Sequence, residues 1–313
     1  MDSDNVQGVF GAVLSRDPQV ALDIAQIAFP EIGVGPLHAT QYVIELVGPR
    51  TSRGETTRSL LSPSALGALG NPSVFVLGLA DVSWAPLTPS DSRPSYDSIA
   101  LCWDVVSSRG TLSSGSAAQL LERVRPIAER LERIPMPLPT PDMIDPKVAE
   151  LLERRESLDV GVSIGLVGPE GGIPEREVWV QATRMGFDLS PEGEFVWREP
   201  NWPHDLLALA SWEPNEIFRL GNVTQGVRHR VIGLGFNLPT SPAPLEVLNE
   251  ALRAARLLES ELQATATDDE FVPLDRTGEE ELRQGARLAV EACSAAGFRP
   301  GSPAALALFG GPD

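Results

Sequence analysis

Two stretches of this chain carry the same short blocks in the same order. Leu46-Val47-Gly48-Pro49 returns as Leu166-Val167-Gly168-Pro169, and Ser83-Trp84-Ala85-Pro86 as Ser211-Trp212-Glu213-Pro214. Ile99-Ala100-Leu101-Cys102-Trp103-Asp104-Val105 returns as Ile232-Gly233-Leu234-Gly235-Phe236-Asn237-Leu238, and the helical stretch around Leu120-Leu121 as that around Val247-Leu248. The offsets are 120, 128, 133 and 127 residues, so the loops changed length while the order held. A single four-letter match means little, but an ordered series points to one domain used twice.

Composition bounds the function classes. With 313 residues, 42% of them hydrophobic, the chain can bury a core in each of two domains. A net charge of -18 argues against nucleic acid and anionic membranes, which would repel such a surface. Lys147 is the sole lysine, so Schiff-base or P-loop chemistry would have to use it. Cys102 and Cys293 form no paired motif and read as small buried hydrophobes in a reducing compartment. The absence of a signal peptide and of a long apolar run leads us to expect no membrane insertion.

The pattern predicts four parts. Residues 1–38 form a helical extension, with Asp17-Pro18 as its start and Val20, Ala21, Ile24, Ile27 and Ala28 as its buried face. Residues 39–156 are the first copy: strands at Gln41–Val47, Ser73–Trp84 and Ser98–Val106, and helices at Pro63–Leu69, Ser116–Ile134 and Asp145–Arg155. Pro126 is expected to kink the second helix, and Pro135–Pro141 to be extended. Residues 157–297 are the second copy: strands at Leu158–Val167, Phe187–Arg198, Leu206–Trp212 and Arg230–Leu238, and helices at Pro174–Met185, Leu245–Leu262 and Glu279–Ala296. Residues 298–313 read as a flexible tail rich in Gly, Pro and Ala. Alternating strands with one apolar side give an α+β fold, each copy a mostly antiparallel sheet with helices on one face.

The second copy resembles the C-terminal FtsZ-binding domain of ZipA cell-division proteins. The resemblance rests on Met185-Gly186-Phe187, on Leu206-Leu207-Ala208-Leu209-Ala210-Ser211-Trp212-Glu213-Pro214, on Ile232–Pro239 running into the long helix, and on Thr277 opening the last one. It implies two tandem ZipA-C-like domains, the first degenerate, whose open sheet face holds a groove for the FtsZ C-terminal tail or another cell-division protein. The implied protein is a non-enzymatic interaction module, cytoplasmic and active at the division septum.

Strand alternation assigns the faces. In the second copy Val162, Ile164, Leu166, Leu207, Leu209, Ile232, Leu234, Phe236 and Leu238 face the helices. The candidate partner-binding positions are Gly161, Ser163, Ala208, Ala210, Trp212, Gly233 and Gly235. Gly165 and Asn237 share that face. In the first copy they are Val43, Val82, Trp84, Ala100 and Cys102, with Gly78 and Ala80 beside them. The family carries larger apolar residues at most groove positions. Strands paved with Gly and Ala therefore leave two readings open: a shallow peptide groove, or a face covered from within the same chain.

Catalytic and metal signatures are weak. Gly165–Gly172 lacks phosphate-loop spacing, and Asp268-Asp269-Glu270 lacks the calcium-loop glycine. His229, in Arg228-His229-Arg230, has no ligand-forming residue at motif spacing and reads as a surface or structural histidine. We expect no cofactor and no metal. The alternatives are a scaffold of the same fold whose partner is unrelated to FtsZ, and an enzyme with a site between the domains.

Overall fold

The computed structural model describes residues 20–31, 33–79, 81, 83–107, 110–214 and 216–311. They fall into two compact units. The first comprises Glu31–Ser157 with the residues from Ser302 onward, and the second the residues up to Pro30 with Leu158–Gly301. Both are α+β, with antiparallel sheets.

The first unit is built on strands β1 (Gln41–Val47), β2 (Ser73–Leu77), β3 (Ala85–Pro86), β4 (Ser98–Asp104) and β5 (Ile134–Leu138), in the order β3-β2-β4-β1-β5. Its helices are α1 (Gly54–Leu60), α2 (Pro63–Ala68), α3 (Ser114–Arg130) and α4 (Ile144–Leu158). Tyr42, Ile44, Leu46, Val76, Ile99 and Leu101 are fully buried on the helix-facing side, with Ala117, Val124 and Ala128 of α3 also buried. Ser113 caps α3 by accepting from Ser116 N, and the helix continues through Pro126 to Arg130. The proline-rich stretch is a strand after all. β5 pairs only with β1, and Pro135 and Pro137 alternate along it. Their missing N–H groups thus fall on one side, which an edge strand tolerates. Lys147 is structural: its Nζ donates to the Gln41 carbonyl at 3.1 Å, and burial pulls its pKa down.

The second unit contains β6 (Gly161–Val167), β7 (Asp188–Leu189), β8 (Phe195–Trp197), β9 (Leu207–Ser211), β10 (Val231–Asn237) and β11 (Thr265–Thr267), in the order β7-β8-β9-β10-β6-β11. The stretch read as one strand from Phe187 to Arg198 is a hairpin, because Ser190 and Gly193 turn the chain. Helices α5 (Glu175–Arg184), α6 (Leu220–Gln225), α7 (Pro244–Leu262) and α8 (Arg276–Ala295) complete it. Every helix-facing residue named from the alternation is buried, from Ile164 and Leu209 to Phe236. Asp275 caps α8 by accepting from Thr277 N and Gly278 N.

Two terminal expectations change. Asp17 and Pro18 lie outside the described residues. Beyond them the segment is mostly extended: Val20 N and Leu22 N donate to the Arg184 and Met185 carbonyls, and only Ile24–Gln26 forms a short 3-10 turn. The backbone groups left open where α5 ends supply the partners that a helix would otherwise have provided for itself. The tail is not merely loose. Ser302 accepts from Ala305 N and Pro303 occupies the first turn of α9 (Pro303–Phe309), which buries Ala305, Leu308 and Phe309.

Four consecutive strands of each sheet follow one plan: β2-β4-β1-β5 in the first unit and β9-β10-β6-β11 in the second. The registers agree with the repeated blocks. Leu46 faces Ile99 as Leu166 faces Ile232, and Val43 faces Cys102 as Ser163 faces Gly235. One block does not align. Ser211 faces Ile232 in β10, and the residue facing Ile99 from β2 is Val76, not Ser83. β2 ends at Leu77, where Asp81 accepts from Gly78 N and closes a turn. Trp84 then lies just ahead of the edge strand β3.

Candidate partner-binding site

The open face of the second sheet is set by register. Ser163 and Ala208 both face Gly235, Gly165 and Ala210 both face Gly233, and Gly161 faces Asn237. These positions lie opposite the buried helix-facing row, so the structure brings the predicted positions of the second unit together on one surface. Gly161 is exposed, Ser163, Ala208, Ala210 and Gly235 are partly buried, and Gly233 is buried.

Trp212 does not stand at the rim. Its ring lies across the centre of the face. A Cβ built on Gly233 would come within 2.0 Å of Trp212 Cε2, and one on Gly165 within 2.9 Å of Cζ3. No real side chain tolerates such distances, so the two glycines are the space in which the indole lies. The same chain thus covers part of its own face, and Trp212 as a whole is only partly buried. Phe271 meets it edge-on at 6.2 Å between ring centres. Phe271 and Val272 are both more than half exposed, and Phe271 adopts a left-handed φ of 64° after the acidic turn. Sequence reasoning missed this pair: it weighed the preceding Asp268-Asp269-Glu270 only as a calcium loop. The strand there is Thr265–Thr267, and Phe271 N donates to the Asp268 carbonyl in the turn that follows.

In the first unit Val43, Ala100 and Cys102 share the open face and form a buried cluster, with Phe75 and Trp84 packed against it. Val82 and Ala80 lie outside the described residues. Gly78 follows the end of β2, so Ser73, Phe75 and Leu77 take the β2 positions on this face in its place. Trp84 also crowds Gly35, where a Cβ would lie 3.1 Å from its own Cβ. Burial pushes the Cys102 thiol up to about 12, with Asp104 adding to the effect. On the same face β5 presents Ile134, Met136 and Leu138, exposed by 61%, 47% and 44%. Their alternation was legible, but the intervening prolines hid the strand.

Of the two readings of His229, surface or structural, the structure fits the second. His229 is fully buried, not a surface residue, and Nε2 lies 3.0 Å from Glu175 Oε2. Glu175, also fully buried, accepts from Arg219 N at 2.7 Å, Asn222 Nδ2 at 2.9 Å and Trp179 Nε1 at 3.2 Å. Burial raises the Glu175 pKa, but these bonds together outweigh it and hold the carboxyl below the usual glutamate range.

A family model described as ZipA, C-terminal FtsZ-binding domain, matches residues 163–285. The match begins inside β6 and ends inside α8, so it spans the face under Trp212 and falls within the second unit. No curated protein matches at a significant level. No helix among the described residues is long and apolar enough to cross a membrane.

Proposed function

We propose that the second unit is a non-enzymatic cell-division module that takes the C-terminal tail of FtsZ, or of another division protein, on its open sheet face. The observation that carries this reading is the family match over 163–285, which covers that face. The physical picture differs from a groove lined by large strand residues. Trp212 lies on Gly165 and Gly233 and supplies the apolar floor, and Phe271 and Val272 form one wall. The strand residues are small because the ring needs their volume. A short apolar peptide would pack on the indole, the kind of aromatic anchor that dominates interfaces.

On this proposal the first unit is a second copy of the same domain. The support is the shared order of four consecutive strands and the shared registers of β1 with β4 and of β6 with β10. Its face is filled by Val43, Ala100, Cys102, Phe75 and Trp84, which leaves the second unit as the peptide site. The chain would act in the cytoplasm at the division septum. The scaffold reading, with a partner unrelated to FtsZ, is favoured by one observation: the ring already occupies the centre of the face.

Calorimetric titration of a synthetic FtsZ C-terminal tail into the full chain separates the two. Binding should weaken by about 2 kcal/mol or more in Trp212→Ala and stay unchanged in Trp84→Ala. Absence of heat at millimolar peptide selects the scaffold reading. Binding that Trp212→Ala leaves intact keeps the partner and removes this face.

A further inference from the structure

His229 reaches its buried position because Arg228–His229 pairs with Ile173–Pro174, placing His229 opposite Ile173. Phe218 closes one side of the imidazole edge-on at 5.0 Å. Glu175 takes Nε2, as described above. The other nitrogen, Nδ1, has no hydrogen-bond partner although it is buried. It points at the carboxylate of Glu216, whose Oε2 lies 3.2 Å away without hydrogen-bond alignment. Glu213 joins them: ligand atoms of Glu213, Glu216 and His229 all lie within 4.8 Å of one another.

We propose that His229 Nδ1, Glu216 and Glu213 form a binding site for a divalent transition-metal ion, with Glu175 fixing the histidine from behind. Three observations support it. A buried imidazole nitrogen without a partner carries a desolvation cost that a metal bond would remove. A carboxylate on the far ring nitrogen is the arrangement that fixes the tautomer of metal-bound histidines and raises their basicity. Glu175 accepts from three other donors, so it faces Nε2 as a hydrogen-bond acceptor, and the ring tautomer that donates to it leaves the Nδ1 lone pair directed at the two glutamates. One nitrogen and two carboxylates, with a water in the remaining place, suit zinc better than magnesium or calcium, which prefer all-oxygen shells. Glu213 accepts from Arg230 N through Oε2 at 2.7 Å and has a second oxygen to offer. Glu216 is open to water, with 42% of its side chain exposed, which gives the ion an entry path.

The site would also pin the turn that leaves Trp212, because Glu213 is the next residue. The test is zinc titration into the untagged, chelator-stripped full chain, read by competition with a chromophoric zinc indicator. One equivalent should bind, and Glu216→Gln and Glu213→Gln should each weaken it by about tenfold or more. Both glutamates reach solvent, so these variants keep the fold. Nitrogen NMR of His229 gives a second readout: zinc should shift Nδ1 and leave the proton on Nε2. Failure of the wild-type chain to take up zinc overturns the proposal. Uptake that neither glutamine variant weakens, or that leaves the Nδ1 signal in place, overturns it equally, because the ion then sits elsewhere.

Discussion

In the second unit a tryptophan lies on glycine; in the first, a tryptophan packs against valine, alanine and cysteine. The register makes the comparison position by position. Gly233 stands where Ala100 does, Gly235 where Cys102 does, and Ser163 where Val43 does. The two rings arrive by different routes. Trp212 follows its strand directly, whereas Trp84 comes after the turn held by Asp81 on Gly78. A sheet face can therefore be covered in two ways on one strand plan: small strand residues with the ring laid deep between them, or larger strand residues with the ring added against them. The difference teaches that glycine in these strands reports the depth of a side chain from the same chain as well as room for a partner.

The largest expected effect tests whether the two sheets are built alike beneath these faces. Leu234 and Leu101 occupy equivalent helix-facing positions, exposed by 1% and 0%. Leu234→Ala and Leu101→Ala should each cost about 2–5 kcal/mol in chemical denaturation, from lost transfer energy and the cavity left behind. If one is nearly neutral while the other is severe, the shared register does not correspond to shared packing, and the copy reading fails.

A middle-sized effect sharpens the contrast between glycine and alanine. Gly→Ala in a strand usually stabilises, because glycine loses more freedom on folding. At Gly233 the sign should reverse: the new Cβ meets the indole at 2.0 Å, and overpacking of this kind costs about 1–3 kcal/mol. Trp212→Ala should remove the penalty, so the double variant should be more stable than additivity allows. Adding Gly233→Ala with no penalty would mean the ring lies elsewhere in solution.

Much of this architecture was legible in the sequence. β1 was read to its true ends because Tyr42, Ile44 and Leu46 alternate with Gln41, Val43, Glu45 and Val47. The repeated blocks carried the registers of the central strands. Other features were invisible for stated reasons. The indole of Trp212 leaves a strand end, where alternation no longer dictates direction. His229 and Glu175 are 54 residues apart and meet only because two short strands pair. A histidine judged by its neighbours in sequence therefore looked isolated. The tail helix was a different case: Ser302-Pro303 is a cap followed by a first-turn proline, and composition outweighed it.

The smallest effect reads the first unit's face directly, through its cysteine. Cys102 is 2% exposed and lies in the cluster against which Trp84 packs. Burial pushes its thiol up to about 12, so it stays protonated near neutral pH, and the thiolate is the species that alkylates. Native labelling should be negligible and should rise as pH climbs toward that value. Cys293 serves as the internal control. It is fully buried, burial also raises its thiol, and its Sγ lies 3.8 Å from the Leu158 carbonyl within the second unit. Trp84→Ala should open Cys102 to a maleimide while leaving Cys293 silent, as mass spectrometry of the labelled chain would show. Equal labelling of both thiols would report general loosening. No labelling of either would show that Phe75 and its neighbours close the first face without the ring. In that case the two units would differ in what their tryptophans do as well as in how deeply they lie.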